Sequence, residues 1–146
     1  MNTVGSRLSD LDTPILWVDL DVLERNIPYL ASYFEAAGVS WRPHTKGIKV
    51  PAIAHQALAA GAIGVTCAKL GEAEVMAAAG ISDILIANQI VGATKATRLA
   101  NLNRYADVKA AVDNPANVAE LAAAAREKGV EIPVVVEVEI GMHRAG

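Results

Sequence analysis

Short runs of aliphatic and β-branched residues alternate with alanine-rich segments along most of the chain. Apolar runs at residues 15–20, 39–42, 63–68, 83–87, 108–112 and 132–140 predict strands. Residues 21–37 carry Val22, Leu23, Ile27, Leu30, Ala31 and Phe34 at helical spacing, with Gly38 as the stop. Pro28 falls inside that segment and predicts a late start or a bend. Residues 50–60, 71–79, 93–103 and 115–128 read as further helices. Pro51 and Pro115 suit first helical turns, Asn114 suits an N-cap, and Gly61, Gly80 and Gly129 stand where helices should end.

Strand and helix in strict alternation, joined by short connections, predict a parallel sheet with helices packed on it. A doubly wound sheet would usually show a glycine-rich phosphate loop after its first strand, and neither G-x-G-x-x-G nor a Walker pattern occurs. A complete β/α barrel needs about 250 residues, and this chain supplies roughly five of its eight units. The expected fold class is therefore α/β, a partial (β/α)8 TIM barrel, with residues 1–146 as one piece and no second domain. The sequence stops at Gly141-Met142-His143-Arg144-Ala145-Gly146, directly after an apolar run, and is expected to be a fragment or a truncated product.

Composition narrows the function classes. The chain has 146 residues, 53% hydrophobic and 20% charged, enough for a real core. Its net charge of −3 offers no basic surface for nucleic acid or acidic membranes. A single cysteine, Cys67, cannot form an internal disulfide and fits a reducing, cytoplasmic setting. The first 12 residues show no secretory pattern, and no apolar run approaches the roughly 20 residues of a membrane span.

In a β/α barrel the reactive groups gather at the C-terminal ends of the strands. Those ends carry Arg42, His44 and Lys46; Cys67, Lys69 and Glu72; Asn88 and Gln89; Asp113 and Asn114; and Glu137, Glu139, His143 and Arg144. Lys46 reads either as a solvated loop lysine or as an amine that forms an imine with a carbonyl, with Arg42 and Lys49 crowding it toward the free base. His44, two residues away, would share its side of an extended segment. It could stack on a planar cofactor, act as an acid or base, or simply bond to backbone. Arg144 sits in a Gly-x-x-Arg-x-Gly turn and could bind a phenolate or carboxylate, or be an exposed terminal residue. Lys69 and Glu72 could be only an i,i+3 ion pair. Cys67 reads as a small core residue, and Glu137 and Glu139 would share one strand face without an assigned role.

Several pieces, in order, resemble a known family: Thr13-Pro14 leading to Val18-Asp19-Leu20-Asp21; Arg42-Pro43-His44-Thr45-Lys46; Lys69 through Glu72-Ala73-Glu74; Asp83-Ile84-Leu85-Ile86-Ala87-Asn88; and Val136-Glu137-Val138 into Gly141-Met142-His143-Arg144. The chain resembles the N-terminal part of the D-threonine aldolase / D-serine dehydratase family, fold-type III enzymes related to alanine racemase. The resemblance implies pyridoxal 5'-phosphate held as a Schiff base at Lys46, with Arg144 and Arg42 as cofactor-binding candidates and His44 beside Lys46 in catalysis. It implies a small D-amino-acid substrate and a homodimer at full length. It further implies a β-rich C-terminal domain that shares the strand near residues 15–20. Phosphate-binding loops and the ligands of a possible divalent metal would come from sequence after residue 146, so residues 1–146 alone are expected to be inactive. Two departures stand out. The family often reads Lys-x-His-Lys where this chain has Lys46-Gly47-Ile48-Lys49, and often Cys or Thr where it has Ala145. Cleavage of a β-hydroxy-D-amino acid leads, ahead of dehydration or racemisation. A non-catalytic cofactor-binding protein or an inactive product is the alternative of another kind.

Overall fold

The computed structural model describes residues 4–146. After a short 3-10 turn at Leu8–Asp10, the chain forms α1 (Leu20–Ala36), α2 (Pro51–Ala59), β1 (Val65–Cys67), α3 (Leu70–Ala78), β2 (Asp83–Gln89), α4 (Ala93–Leu102), β3 (Asp107–Val112), α5 (Pro115–Lys128) and β4 (Val134–Val136). The four strands make one sheet in the order β1-β2-β3-β4, every pair parallel. A fifth segment joins at the β1 edge. His44 bridges Thr66 in parallel, the Thr66 N–H donates to Pro43 O at 2.8 Å, and the Thr45 N–H donates to Thr66 O at 2.8 Å.

Alternation along the strands sorts the two faces. Val65, Ile84 and Val108 lie in register and are fully buried, as are Cys67, Ile86 and Ala110 one step on. They face Leu70, Met76, Leu99 and Leu121 from α3, α4 and α5, and together these side chains are the core. Thr66, Leu85 and Lys109 share the other face, the side that a closed barrel turns inward. Sheet and helices thus form part of a β/α barrel, as expected. Among the described residues, no helix is long and apolar enough to cross a membrane.

Local signals place α5 where the sequence puts it. Asn114 Oδ1 accepts the Ala116 N–H at 2.8 Å, Pro115 needs no partner at the first helical position, and Gly129 ends the helix in the left-handed region at φ 65°. Asn114→Ala is expected to cost ~1 kcal/mol, read as a lower urea midpoint with an unchanged slope. No loss at all would mean that the cap is dispensable.

Several expectations need correction, the run at residues 39–42 among them: it forms no strand of its own, although Trp41 and His44 join its end to the β1 edge. Residues 15–19 form no strand; Ile15, Leu16, Trp17 and Val18 are exposed and pair with no other strand among the described residues. A strand exists only through a partner, so an apolar run alone does not make one. Of the two outcomes expected at Pro28, the late start does not occur: α1 begins at Leu20 and runs through Pro28 to Ala36. Proline has no N–H to offer the carbonyl four residues earlier, that of Glu24, which is an exposed residue. The last strand is only Val134–Val136, not residues 132–140. One further bond, Glu137 N–H to Val112 O at 2.9 Å, closes the ladder where β3 itself stops.

Candidate active site

Residues 45–49 form a compact turn at the end of the edge segment. Thr45 is buried, and its Oγ1 donates to Thr66 O at 3.1 Å beside the backbone bond to the same oxygen. The Thr45 carbonyl accepts both the Ile48 N–H at 3.1 Å and the Lys49 N–H at 2.8 Å. Lys49 completes the turn at φ 56°, a conformation that costs a non-glycine residue energy and therefore needs outside support. Lys46 is carried on this turn, with its backbone N–H donating to His44 Nδ1 at 3.3 Å.

The turn opens on a cleft of about 390 Å³ at the C-terminal ends of the strands. His44 and Lys46 line one side, Asn88 and Gln89 the floor, and Glu137 and Arg144 the other side. Lys46 and Arg144, far apart in sequence, are thus neighbours across one cavity. The pairing irregularity between Ile86 and Gln89 sets Gln89 opposite Ala111 and aims it at the mouth. Its amide nitrogen donates to Glu137 Oε2 at 2.8 Å and to Asp113 Oδ2 at 3.1 Å, joining the ends of three strands. Asn88 Nδ2 donates to Ala68 O at 3.2 Å, which fixes the floor against β1. Glu139 shapes the Arg144 turn by accepting the backbone N–H groups of Gly141 and Arg144.

Burial, and then the positive charge of Lys46, hold the His44 imidazole below its ordinary value. A neutral ring beside the lysine presents a flat face and a hydrogen-bonding nitrogen without adding charge. The cleft therefore combines a primary amine, a guanidinium, a neutral imidazole and an orientated carboxylate. That donor set fits a planar aldehyde cofactor with an acidic oxygen: the amine for the carbonyl carbon, the guanidinium for the oxygen.

Arg42 does not reach this cleft. It lies toward the opposite end of the sheet, where its guanidinium makes two bonds to the Asp83 carboxylate, at 2.9 and 3.1 Å. Lys109 Nζ adds a third at 2.9 Å. Gly64 is required for this approach, because a Cβ there would overlap Arg42 Nη1 and the Asp83 carbonyl. Burial alone would push the Asp83 carboxyl up, but the bonds from Arg42 and Lys109 outweigh it and hold it below its ordinary value of 3.8. The ionised form is thus favoured by folding. Its stabilisation is complete above the unfolded value and disappears as pH falls through the lower folded one. Urea midpoints should therefore fall between pH 6 and pH 3 by more in the parent chain than in Asp83→Asn, and equal losses would refute the assignment.

Helical spacing misleads at Glu72. Glu72 pairs with Lys49 Nζ, at 2.8 Å, and not with Lys69. Thr45, hidden between two conspicuous residues, is the anchor of the turn; its sequence signal was only its position. Cys67 is a buried core residue, with its thiol pushed up by burial. Among the described residues, no three His, Cys, Asp or Glu side chains gather closely enough to hold a metal ion.

Known proteins resemble this chain over most of its length. D-threonine aldolase of Arthrobacter sp. is 40% identical over 142 residues, covering 97% of this chain and 38% of that protein. D-threo-3-hydroxyaspartate dehydratase of Delftia sp. is 39% identical over 139 residues, covering 95% of this chain and 37% of that one. The chain therefore spans well under half the length of these relatives. The crystal structure of D-threonine aldolase from Filomicrobium marinum matches with a TM-score of 0.92 at 45% identity, over 95% of this chain and 38% of that one. A profile described as the N-terminal domain of alanine racemase matches residues 18–146. Most of the chain, with the lysine turn and the arginine turn included, falls inside that match, and it belongs to the alanine racemase N-terminal domain family.

Proposed function

We propose that this chain is the cofactor-lysine part of a pyridoxal-phosphate-dependent lyase that cleaves β-hydroxy-D-amino acids. The observation that carries the reading is the meeting of Lys46 and Arg144 across one cleft. The relatives support the substrate class, since threonine and 3-hydroxyaspartate share a hydroxyl on the β carbon. The exposed side chains Leu16, Trp17, Tyr29 and Tyr33 support a partner surface, in keeping with a homodimer at full length.

When bound, pyridoxal phosphate supplies an electron-withdrawing ring that stabilises negative charge at the substrate carbon bearing the amine. The chain's own residues would bind and orient it. Lys46 offers the amine that attaches the aldehyde carbon, and Arg144 offers a bidentate donor for the ring oxygen. His44, neutral, borders the lysine and can accept or donate a proton there. Gln89 holds Glu137 in the cleft through its 2.8 Å bond.

Borohydride treatment of the full-length protein with pyridoxal phosphate should abolish a visible absorbance band and leave the cofactor fixed on Lys46, located by peptide mass spectrometry. A label on Lys49 or Lys69 would overturn the assignment. With D-threonine and the full-length protein, release of acetaldehyde and glycine supports the aldolase reading. The dehydratase reading, favoured by the 39% identity to the Delftia protein, expects 2-oxobutanoate and ammonia instead.

A further inference from the structure

Glu72 lies on α3, outside the cleft, yet it is tied to both the sheet and the lysine turn. Its residue is 9% exposed. Oε2 accepts the Ala68 N–H at 2.8 Å, and Oε1 accepts from Lys49 Nζ at 2.8 Å. The first bond has a local explanation: a glutamate in the first turn of a helix often reaches back to a free backbone N–H. The second does not. Nothing in capping α3 requires a lysine from 23 positions earlier in the chain.

The consequence for Lys46 follows from the turn. Its near end is pinned at Thr45, by two bonds to Thr66 O. Its far end is Lys49, which adopts φ 56° and whose side chain is 59% exposed. An exposed lysine in an unfavourable backbone conformation needs a specific partner to stay there. Glu72 is that partner, and the link to Lys49 holds its carboxyl below the ordinary glutamate value. Resting on the reading of Lys46 as the cofactor lysine, we propose that Glu72 and Lys49 are positioning residues. Their ion pair locks the far end of the turn and so fixes the direction in which Lys46 enters the cleft.

Two substitutions separate this role from capping. Glu72→Gln can keep the bond to Ala68 but sets an amide donor against the Lys49 ammonium. Lys49→Met keeps the glutamate and its cap but removes the latch, at an exposed position where folding is not at risk. Lys49→Arg restores a cationic donor. Hydrogen–deuterium exchange, without cofactor, should quicken about tenfold in a peptide spanning residues 44–50 for both disruptive variants. A peptide covering β2 should be unchanged, and Lys49→Arg should stay close to the parent. With pyridoxal phosphate present, borohydride labelling of Lys46 should slow by a similar factor in Glu72→Gln and Lys49→Met and recover in Lys49→Arg. Unchanged exchange in residues 44–50 for Lys49→Met would overturn the proposal. Faster exchange in both variants, in a parent whose Lys46 takes no label, would uphold the latch while removing the cofactor reading. A Lys49→Arg variant as loose as Lys49→Met would also refute it.

Discussion

Changing Lys46 to arginine in the full-length protein is expected to eliminate borohydride-fixed pyridoxal phosphate and to lower turnover of β-hydroxy-D-amino acids by roughly a thousandfold or more. The substitution keeps the positive charge and much of the length, but a guanidinium stays protonated and does not attack a carbonyl. The cleft is left intact: His44, Gln89, Glu137 and Arg144 keep their places, and the bond from the residue 46 backbone to His44 does not depend on the side chain. A loss of labelling with unchanged thermal stability would therefore report chemistry and not folding. Lys95→Arg, an exposed change on α4, is the control and should leave labelling unaltered. Labelling that survives in Lys46→Arg would end the proposal that this lysine holds the cofactor.

The second large effect belongs to the core. Ile84→Ala should destabilise the chain by ~2–5 kcal/mol, a large share of the roughly 5–15 kcal/mol typical of a folded domain. Ile84 sits on β2, between Val65 of β1 and Val108 of β3, and none of the three is exposed at all. Shortening it opens a cavity where sheet and helices meet, and strands bonded on both sides cannot easily collapse into the gap. Val136→Ala is the contrast. Val136 is 71% exposed on β4, and its shortening should change stability by less than about 0.5 kcal/mol. Equilibrium unfolding in urea reads both variants. A cost below about 1 kcal/mol for Ile84→Ala would show that this layer is not close-packed.

What was legible in the sequence was what is decided locally. Residues 115–128 read as a helix and form one, because Asn114, Pro115 and Gly129 act on their own neighbours. The helix ends elsewhere were placed to within a residue or two for the same reason. Strand lengths and the run at residues 15–20 were not legible, because pairing is settled by a partner elsewhere in the chain. The site divides along the same line. The order of strands put Lys46 and Arg144 at the same end of the sheet, and they line one cleft. Arg42 was grouped with Lys46 because four residues seem close. In an extended segment that step covers about 13 Å, enough to carry Arg42 down to Asp83. Spacing allows Lys69 and Glu72 an i,i+3 ion pair, but Lys69 is the extended residue ahead of α3, so the helical rule does not apply to it.

The order of the sheet has a consequence for how the chain can be made. Strands β1 to β4 lie side by side in the order in which translation delivers them, each joined to the last by a single helical crossover. Every new strand meets a free edge left by the one before, and none has to be threaded between two that are already paired. A growing chain can therefore bury Ile84 against Val65 before β3 has been synthesised, and each completed unit becomes the template for the next.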